Sequence, residues 1–279
     1  MIGPGWPAPA KVNLFLHVLG RRADGYHLLQ TAFQFINLCD ELQFIPRDDG
    51  RIQRHADYGG IAEADDLTVR AAMALRAAAG ISKGVDIRIQ KRIPMGGGLG
   101  GGSSNAATTL LALNQLWRAN LLEPELLRIG LTLGADVPVF IAGHAAWAEG
   151  VGERLTPIDP PVDWFLVVHP GVSVSTAAVF QHPELTRNTP AITIRAFLEG
   201  GGANDCEAVV RKMHPEVGEA LDWLRRHGDA RLTGTGACVF LRCASAQSAE
   251  QVRGQLPLHL RGFVVQGCNR SPLQDRLER

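Results

Sequence analysis

The 279-residue chain has only five cysteines, and they are scattered along it. They form no Cys-x-x-Cys pair and no Cys/His cluster with metal-site spacing: Cys39, Cys206, Cys238, Cys243 and Cys268. The pattern therefore indicates neither a zinc site nor a disulfide framework. We expect free, buried thiols in a reducing compartment, which is the cytoplasm.

An excess of charge is also missing. Lys plus Arg and Asp plus Glu number 28 each, so the chain has no overall field that would attract nucleic acid or an anionic membrane. We expect neither as a partner, and local groups would have to bind any anionic small molecule. No apolar run approaches the roughly 20 residues of a membrane-spanning helix. No basic region followed by an apolar stretch opens the chain, so no signal peptide is expected.

Glycine, in contrast, is concentrated in one segment. Residues 94–104, here called the glycine loop, read Pro-Met-Gly-Gly-Gly-Leu-Gly-Gly-Gly-Ser-Ser and lie between a strand pattern and a helical pattern at residues 105–117. Glycines allow close backbone approach and positive φ, and the N–H groups at the start of a helix bind anions. Ser103 or Ser104 can cap that helix. The segment predicts a phosphate cradle for a nucleotide.

Three other interpretations of the glycine loop fit less well. A flexible linker is not expected between a periodic strand and an amphipathic helix. The spacing Gly96-x-Gly98-x-x-Gly101 satisfies the dinucleotide fingerprint. That motif, however, needs a second parallel strand after the helix, and here another helical segment follows. A Walker loop is excluded because no Gly-Lys-Ser/Thr follows the glycines.

The rest of the chain mixes strand and helix patterns without a regular βαβα order. Strand patterns cover residues 10–19, 31–45, 85–93, 145–148, 164–169, 231–242 and 262–267, and helical patterns cover residues 67–79, 124–134, 218–227 and 247–256. This mixture predicts an α+β fold. A proline cluster at residues 156–161 predicts a boundary between two domains, residues 1–156 and residues 157–279.

A few polar residues outside the glycine loop could take part in chemistry. Lys11 and Asn13 share one face of the first strand pattern. Asp136 lies before Pro138, where we expect a helix to end, and an acid at a helix C-terminus needs a compensating partner. On these residues alone, a solvated strand face and a surface carboxylate remain alternatives. The Thr-Gly-Thr-Gly-Ala segment at residues 233–237 is typical of either a bulge or close backbone approach to a ligand.

Together these segments resemble the GHMP family of small-molecule kinases. The resemblance covers nearly the whole chain in the expected order, at residues 9–16, 22–27, 94–105, 134–140, 148–153, 170–173 and 232–238. It implies a two-domain α+β GHMP kinase fold with the active site in the cleft between the domains. The N-terminal domain would carry the glycine loop and the catalytic residues, and the C-terminal domain would contribute to the substrate pocket.

The resemblance also implies a role for each matching residue. Lys11 and Asp136 match the family's paired catalytic residues. Asp136 would accept the acceptor hydroxyl's proton or orient that hydroxyl, and Lys11 would stabilise the charge that develops on transfer. The glycine loop would wrap the triphosphate of ATP, with Mg²⁺ bridging its oxygens and no metal ligand assigned. The expected ATP-binding residues are Pro94, Met95, Gly96, Gly97, Gly98, Leu99, Gly100, Gly101, Gly102, Ser103 and Ser104.

Within the family, the resemblance is specific to kinases whose small-molecule acceptor carries cytidine diphosphate. Asn13, Tyr26, His27 and Phe180 would bind this acceptor, with aromatic rings on both sides of the cytosine and His27 at its hydrogen-bonding edge. The implied reaction phosphorylates the 2-hydroxyl of a cytidine-diphosphate-linked methylerythritol in non-mevalonate isoprenoid synthesis, by a cytoplasmic monomer or weak homodimer. Alternatives are a GHMP kinase for another small alcohol, such as homoserine or mevalonate, and a nucleotide-sensing module without catalysis.

One position departs from the family pattern. Residues 64–67 read Ala-Asp-Asp-Leu, whereas relatives commonly have Glu-Asp-Asn-Leu, so Asp66 replaces an amide on the adenine side. A carboxylate lacks the donors of an amide, which puts adenine contacts through Asp66 in doubt. Main-chain contacts near residues 91–93 would be unaffected.

Overall fold

The computed structural model describes residues 5–55 and 60–278 of the chain. The strands are β1 (Trp6–Arg21), β2 (His27–Arg47), β3 (Ile52–His55), β4 (Gly84–Gln90), β5 (Ala146–Gly150), β6 (Arg154–Pro157), β7 (Trp164–His169), β8 (Ala230–Leu232), β9 (Val239–Cys243) and β10 (Arg261–Cys268). The helices are α1 (Leu67–Ala79), α2 (Gly101–Leu116), α3 (Glu123–Leu133), α4 (Val137–Ala142), α5 (Thr176–Gln181), α6 (Ile194–Leu198), α7 (Glu207–Met213), α8 (Pro215–Arg225), α9 (Ala246–Arg253) and α10 (Pro272–Leu277). The α+β expectation is confirmed.

A long antiparallel hairpin forms the start of the fold. β1 pairs with β2 from Trp6 opposite Leu42 to Arg21 opposite His27, and the turn between them contains the expected Asp-Gly. The register shifts three times, once between Asn13 and Leu16. Such irregularities bend a strand and re-aim its side chains. The hairpin thereby brings polar side chains of β1 to the centre of the molecule.

β2 connects the two halves of the sheet. It pairs with β1, β4, β5 and β10, and the path β3-β4-β2-β10-β7-β9-β8 runs from strands of the first half to strands of the second. The junction is short, because only Gly267 and Cys268 of β10 pair with Ile36 and Phe35 of β2. The remainder of β10 pairs with β7.

Three large apolar clusters stabilise this arrangement. One packs α1 to α4 against the sheet of the first half, around Phe35 and Phe140. A second packs α7 to α9 against β7, β8 and β9, around Leu221 and Val239. A third joins side chains of both halves, including Phe15 of β1. The two-domain organisation follows from the first two clusters, and the third holds the halves together.

The sequence predicted α1 well but misplaced the start of α2. α1 spans Leu67–Ala79 as expected, and Gly80 ends it in the left-handed region, with φ 62°. α2 begins at Gly101, four residues before the predicted start, with Gly100 at the N-cap and no side-chain cap. Ser103 and Ser104 therefore lie inside the helix, and the prediction that one of them caps it was wrong.

All five cysteines, each within the described part of the chain, are free, as the sequence analysis expects. Only three of the five are buried, however, and Cys39 and Cys268 are partly exposed. Burial raises the pKa of Cys39 and of Cys206 to about 12, so these thiols are poor nucleophiles at neutral pH. Across residues 5–55 and 60–278, no helix has the length and apolar character needed to cross a membrane.

Candidate active site

A cleft of about 1030 Å³ is lined by residues from both halves of the chain. Its walls come from the β1–β2 hairpin, the start of α1, the glycine loop, the start of α4, the turn between β5 and β6, α5, and the turn between β8 and β9. The cleft brings together nearly all the site residues named from the sequence: Lys11, Asn13, Tyr26, His27, residues 94–103, Asp136 and Phe180. Ser104 is the exception, because its side chain is fully buried within α2.

Lys11 makes three polar contacts in this cleft. Its Nζ donates to Asn13 Oδ1 at 2.5 Å and to the Gly98 carbonyl at 3.0 Å, and it lies 3.3 Å from Asp136 Oδ2. The first two contacts are hydrogen bonds, and the third is an ion pair. The Lys11 side chain is 3 % exposed, whereas that of Asp136 is 36 % exposed. The pair therefore consists of a buried cation and a carboxylate that remains accessible from the cleft.

Asn13 is held in one orientation by further hydrogen bonds. Its Nδ2 donates to Thr31 Oγ1 at 2.9 Å, and the Thr31 hydroxyl donates to the Phe15 carbonyl at 2.5 Å. Because the Thr31 hydrogen is used by that carbonyl, Asn13 must turn its NH₂ toward Thr31 and its oxygen toward Lys11. Both Lys11 and Asn13 are 2 % exposed, so a solvated strand face is wrong.

Asp136 precedes a helix instead of ending one. α3 ends at Leu133, and α4 begins at Val137 with Asp136 at its N-cap and Pro138 in its first turn. Proline is tolerated there because the N–H groups of a first turn have no intrahelical acceptor. The expected position of Asp136 at a helix C-terminus was therefore wrong. A negative charge is favoured at the N-terminal end that the residue occupies.

The glycine loop alternates in backbone conformation. Gly96, Gly98 and Gly100 have φ of 65°, 71° and 72°, a region that favours glycine. Alternation between right- and left-handed residues turns successive N–H groups toward one side and creates a concavity that binds anions. α2 starts directly after this segment, so the N-terminal end of the helix borders the same cleft.

Hydrogen bonds within the protein use the carbonyls of residues 96–100 of this loop but not the N–H groups of the same residues. The five carbonyls of residues 96–100 all accept, and the donor with the shortest distance to each, in chain order, is Ala237 N, Cys238 N, Lys11 Nζ, Lys11 N and Ser104 N. Within the described part of the chain, the N–H groups of residues 96–100 donate to no protein acceptor. The loop is thus fixed through its oxygens and presents donors, as a phosphate site requires.

Asp40 anchors the segment that leads into the loop. Its side chain is fully buried on β2 and accepts from the backbone N–H groups of Arg92 at 2.7 Å and Ile93 at 2.9 Å. It also forms an ion pair with Lys91 Nζ. Lys91 lines the cleft. Asp40 therefore sets the position of the chain immediately before the glycine loop.

The cleft lining also contains an aromatic group. The rings of His27 and Phe180 are stacked, with centroids 5.1 Å apart and an interplanar angle of 28°. This separation leaves no space for a third ring between them. Tyr26 is 62 % exposed. A planar ligand would therefore pack beside the His27–Phe180 pair and could be covered by Tyr26 from outside.

Comparison with known proteins identifies the family. The GHMP kinases N terminal domain matches residues 66–144, and the GHMP kinases C terminal domain matches residues 186–262. The 4-diphosphocytidyl-2-C-methyl-D-erythritol kinase of Halorhodospira halophila is 58 % identical over 273 residues, which cover 96 % of this chain and 94 % of that protein. The chain belongs to the 4-diphosphocytidyl-2-C-methyl-D-erythritol kinase family.

Other relatives and solved structures agree with this assignment. The 4-diphosphocytidyl-2-C-methyl-D-erythritol kinase of Chromohalobacter salexigens is 54 % identical over 97 % of this chain and 93 % of its own length. A crystal structure of 4-(cytidine 5'-diphospho)-2C-methyl-D-erythritol kinase superposes with a TM-score of 0.82 at 36 % identity, covering 94 % of this chain and 98 % of that one. A mevalonate kinase structure, at a TM-score of 0.70 and 17 % identity over 96 % of this chain and 100 % of that one, shares the fold.

Asp66, the departure from the pattern of this kinase family, has a structural role here. Its carboxylate caps α1 by accepting from Thr68 N at 2.8 Å and Val69 N at 3.4 Å. It also pairs with Arg54, at 2.9 Å between Arg54 Nη1 and Asp66 Oδ2. Both side chains are almost fully buried. The carboxylate therefore stabilises the wall of the cleft on which α1 begins, and Arg54 compensates its charge.

Sequence reasoning missed Asp40, Thr31 and Arg187, all of which hold site residues in place. The partners of each are distant in the chain; His27 and Arg187, for example, are 160 positions apart. No local periodicity reports contacts of this kind. Asp40 lies among other polar residues of β2, such as Asn37 and Glu41, so the sequence offers no local signal for its burial.

Proposed function

We propose that this protein phosphorylates the 2-hydroxyl of 4-diphosphocytidyl-2-C-methyl-D-erythritol with ATP, in the non-mevalonate route to isoprenoid precursors. The observation that carries the proposal is 54–58 % identity to kinases of that name over nearly the full length of both chains. The cleft supports it chemically, because a Lys–Asp pair, a loop of free N–H groups and an aromatic group line one continuous space.

In this proposal, Asp136 contacts the acceptor hydroxyl. Its carboxylate is accessible from the cleft, and its ion pair with Lys11 fixes its position. It would accept the hydroxyl proton, or orient that hydroxyl, as the oxygen attacks the γ-phosphoryl group. The buried Lys11 ammonium lies next to this point and would stabilise negative charge during transfer. Phosphoryl transfer depends mainly on such positioning and electrostatics.

The glycine loop would hold the triphosphate of ATP. The N–H groups of residues 96–100, which have no acceptor among the described residues, would donate to phosphate oxygens. Within the described residues, no group of three or more His, Cys, Asp or Glu side chains could by itself hold a metal. A Mg²⁺ ion usually takes only one or two carboxylates together with phosphates and water, so the site fits it. Asp136 and the Ser103 hydroxyl would hold the ion, which would neutralise phosphate charge.

The acceptor's cytosine would lie against Tyr26, His27 and Phe180. Because His27 covers one face of Phe180, the base would use the remaining aromatic surface and the outer Tyr26 ring. Base–aromatic stacking contributes about 1–3 kcal/mol per base. Acceptors without a base, such as mevalonate or homoserine, would leave this part of the cleft empty.

We further propose that the protein works in the cytoplasm as a monomer or weak homodimer. Its balanced charge of 28 basic and 28 acidic residues supports the absence of a nucleic-acid or membrane partner. We also retain residue 156 as the proposed end of the N-terminal domain. The two matched family domains, at residues 66–144 and 186–262, lie on either side of it.

ADP release measured with different acceptors tests the proposed function. We expect turnover with 4-diphosphocytidyl-2-C-methyl-D-erythritol and ATP, and at least a hundredfold lower kcat/KM with mevalonate, homoserine or galactose, since about 3 kcal/mol of stacking and pairing would be lost. Comparable rates with mevalonate would refute the proposed acceptor. ATP binding without ADP release from any acceptor would instead indicate a nucleotide-sensing module.

A further inference from the structure

Arg187 connects the C-terminal half of the cleft to the β1–β2 hairpin. Its Nε donates to His27 Nε2 at 3.0 Å, and its Nη2 donates to the carbonyl of Phe180 at 2.9 Å. The same guanidinium therefore contacts both members of the stacked aromatic pair. It reaches His27 through the ring nitrogen and Phe180 through the backbone.

The rest of the guanidinium is also fixed. Nη2 donates to the carbonyl of His182 at 2.8 Å and Nη1 to that of Leu185 at 3.0 Å. These carbonyls belong to the segment that follows α5, so four hydrogen bonds hold the planar group in one orientation. Arg187 cannot turn its Nε away from His27 without breaking the others.

This geometry determines which nitrogen of His27 carries a proton. Arginine is always protonated and has donors only, so His27 Nε2 must accept with its lone pair. Burial, together with the charges of Arg187 and Arg21, lowers the pKa of His27 below its usual value. The ring is therefore neutral near pH 7, and its single N–H lies on Nδ1. Among the described residues, no hydrogen bond uses that Nδ1.

We propose that Arg187 is a positioning residue that locks His27 as the Nδ1–H tautomer and so presents a donor to a ring acceptor of the substrate's cytosine. Cytosine has two neighbouring acceptors, N3 and O2, on the edge that a side chain can reach. The opposite tautomer would offer a lone pair at Nδ1 and would repel both. This inference rests on the proposed function, because it takes the acceptor to carry a cytosine.

The first test measures the tautomer directly in the full-length enzyme without substrate. Histidine-labelled protein at pH 7.5 is examined by long-range ¹H–¹⁵N correlation spectra, with His27 assigned by comparison with His27→Asn. We expect a protonated Nδ1 and an unprotonated Nε2 in the wild type. An Nε2–H ring or an imidazolium would overturn the proposal. Because no substrate is present, the outcome does not depend on whether the proposed function is right.

Arg187→Met provides the second test, since it removes the donor while keeping a long side chain. We expect the His27 signals to shift toward a mixture of tautomers, and KM for the cytidylylated acceptor to rise roughly 5- to 50-fold, the equivalent of one unsatisfied polar contact. KM for ATP should stay within about twofold, because the glycine loop is unaffected. A raised acceptor KM with an unchanged Nδ1–H signal would show a purely structural role and overturn the proposal.

A matched pair of variants at His27 keeps Arg187 intact and tests the donor itself. The side-chain amide of Asn places its NH₂ near the position of Nδ1, whereas the longer Gln places it near Nε2. His27→Asn should therefore retain most of the acceptor affinity, and His27→Gln should raise KM about as much as Arg187→Met. An equal rise in the acceptor KM in both variants would contradict a donor at Nδ1. If the wild-type enzyme released no ADP with any acceptor, the proposed function would be refuted. The measured tautomer of His27 would still be valid, because it is determined without substrate.

Discussion

At the scale of single residues, exposure separates the two members of the Lys11–Asp136 pair. Lys11 is almost fully buried and is held by two hydrogen bonds to protein acceptors, so it acts as a fixed charge. Asp136 has no side-chain capping bond to α4 and is the more exposed partner. A carboxylate that is fixed by an ion pair on one side and accessible on the other is suited to contact a substrate hydroxyl.

Asp136→Asn should lower kcat by at least about 100-fold, because the amide keeps the shape but cannot accept a proton. Affinity for ATP in the absence of Mg²⁺ should change little, since the nucleotide itself contacts the glycine loop. Steady-state ADP release and calorimetric titration with ATP measure the two effects. Asp159→Asn is the control, because that side chain is 76 % exposed. Half of the wild-type turnover in Asp136→Asn would remove this residue from the mechanism.

Asp40→Asn should weaken ATP binding and destabilise the protein. The amide has only one oxygen. If that oxygen faces the backbone N–H groups of Arg92 and Ile93, the NH₂ group meets the Lys91 ammonium, and if it faces Lys91, the NH₂ group meets those N–H groups. We expect a loss of up to about 3 kcal/mol in the free energy of unfolding, the low end for breaking a buried pair, since Lys91 is 18 % exposed. Urea unfolding and KM for ATP are the measurements. Adding Lys91→Met should recover part of the stability, and no recovery would contradict the assigned ion pair.

At the scale of elements, the sequence predicted the helix bounds that depend on neighbouring residues in the chain. α1 has an Ala-rich helical pattern, an N-capping Asp66 and a terminating Gly80, so its bounds follow from nearby residues. The start of α2 was missed because it depends on Gly100, whose left-handed conformation is fixed by the packing of the glycine loop. The approach of Lys11 to Asp136 could be expected only through family resemblance. Arg187 and Asp40 were missed because nothing local distinguishes their partners.

Gly98→Ala should disturb the glycine loop through the protein itself. A Cβ at Gly98 would lie 2.4 Å from the Thr233 carbonyl oxygen, and its φ of 71° is unfavourable for other residues. We expect unfolding to become easier by at least about 1–2 kcal/mol, together with weaker ATP binding. Gly254→Ala is the matched control, since its φ is −63° and its nearest neighbour would lie at 3.5 Å. Urea unfolding measures the stability of the two variants, and calorimetry measures their ATP affinity. Equal stability and equal ATP affinity in Gly98→Ala and Gly254→Ala would contradict a glycine loop that is fixed by its contacts with the protein.

At the scale of the whole molecule, the two halves share one sheet and one apolar cluster. β10 of the second half pairs with both β7 and β2, and Phe15 of β1 packs among residues of both halves. Active-site residues come from both sides of this junction. The cleft is therefore a property of the joined halves, and neither half alone contains the complete set of groups.

A fragment of residues 1–156 should accordingly fail to fold stably. It would lose the β10 pairing at Phe35 and Ile36 and would expose the shared apolar cluster. We expect no cooperative thermal transition by circular dichroism for the fragment, against a clear one for the full chain. The control is the full chain cleaved after folding at an engineered site near residue 156, which should stay assembled. A cooperative fragment that binds ATP would show that the N-terminal domain is independent.

The hydrogen bonding of the glycine loop separates the order of its backbone from the protection of its amide hydrogens against exchange, two properties that usually change together. Its carbonyls tie it to β1 and to the β8–β9 turn, so the backbone has a fixed position before any ligand arrives. The N–H groups of residues 96–100 have no protein acceptor among the described residues, so these amide hydrogens should exchange rapidly with deuterium in the free enzyme. Bound nucleotide should slow that exchange without moving the loop. The difference in deuterium uptake between the free and the nucleotide-bound enzyme would then give the number of loop N–H groups that donate to phosphates.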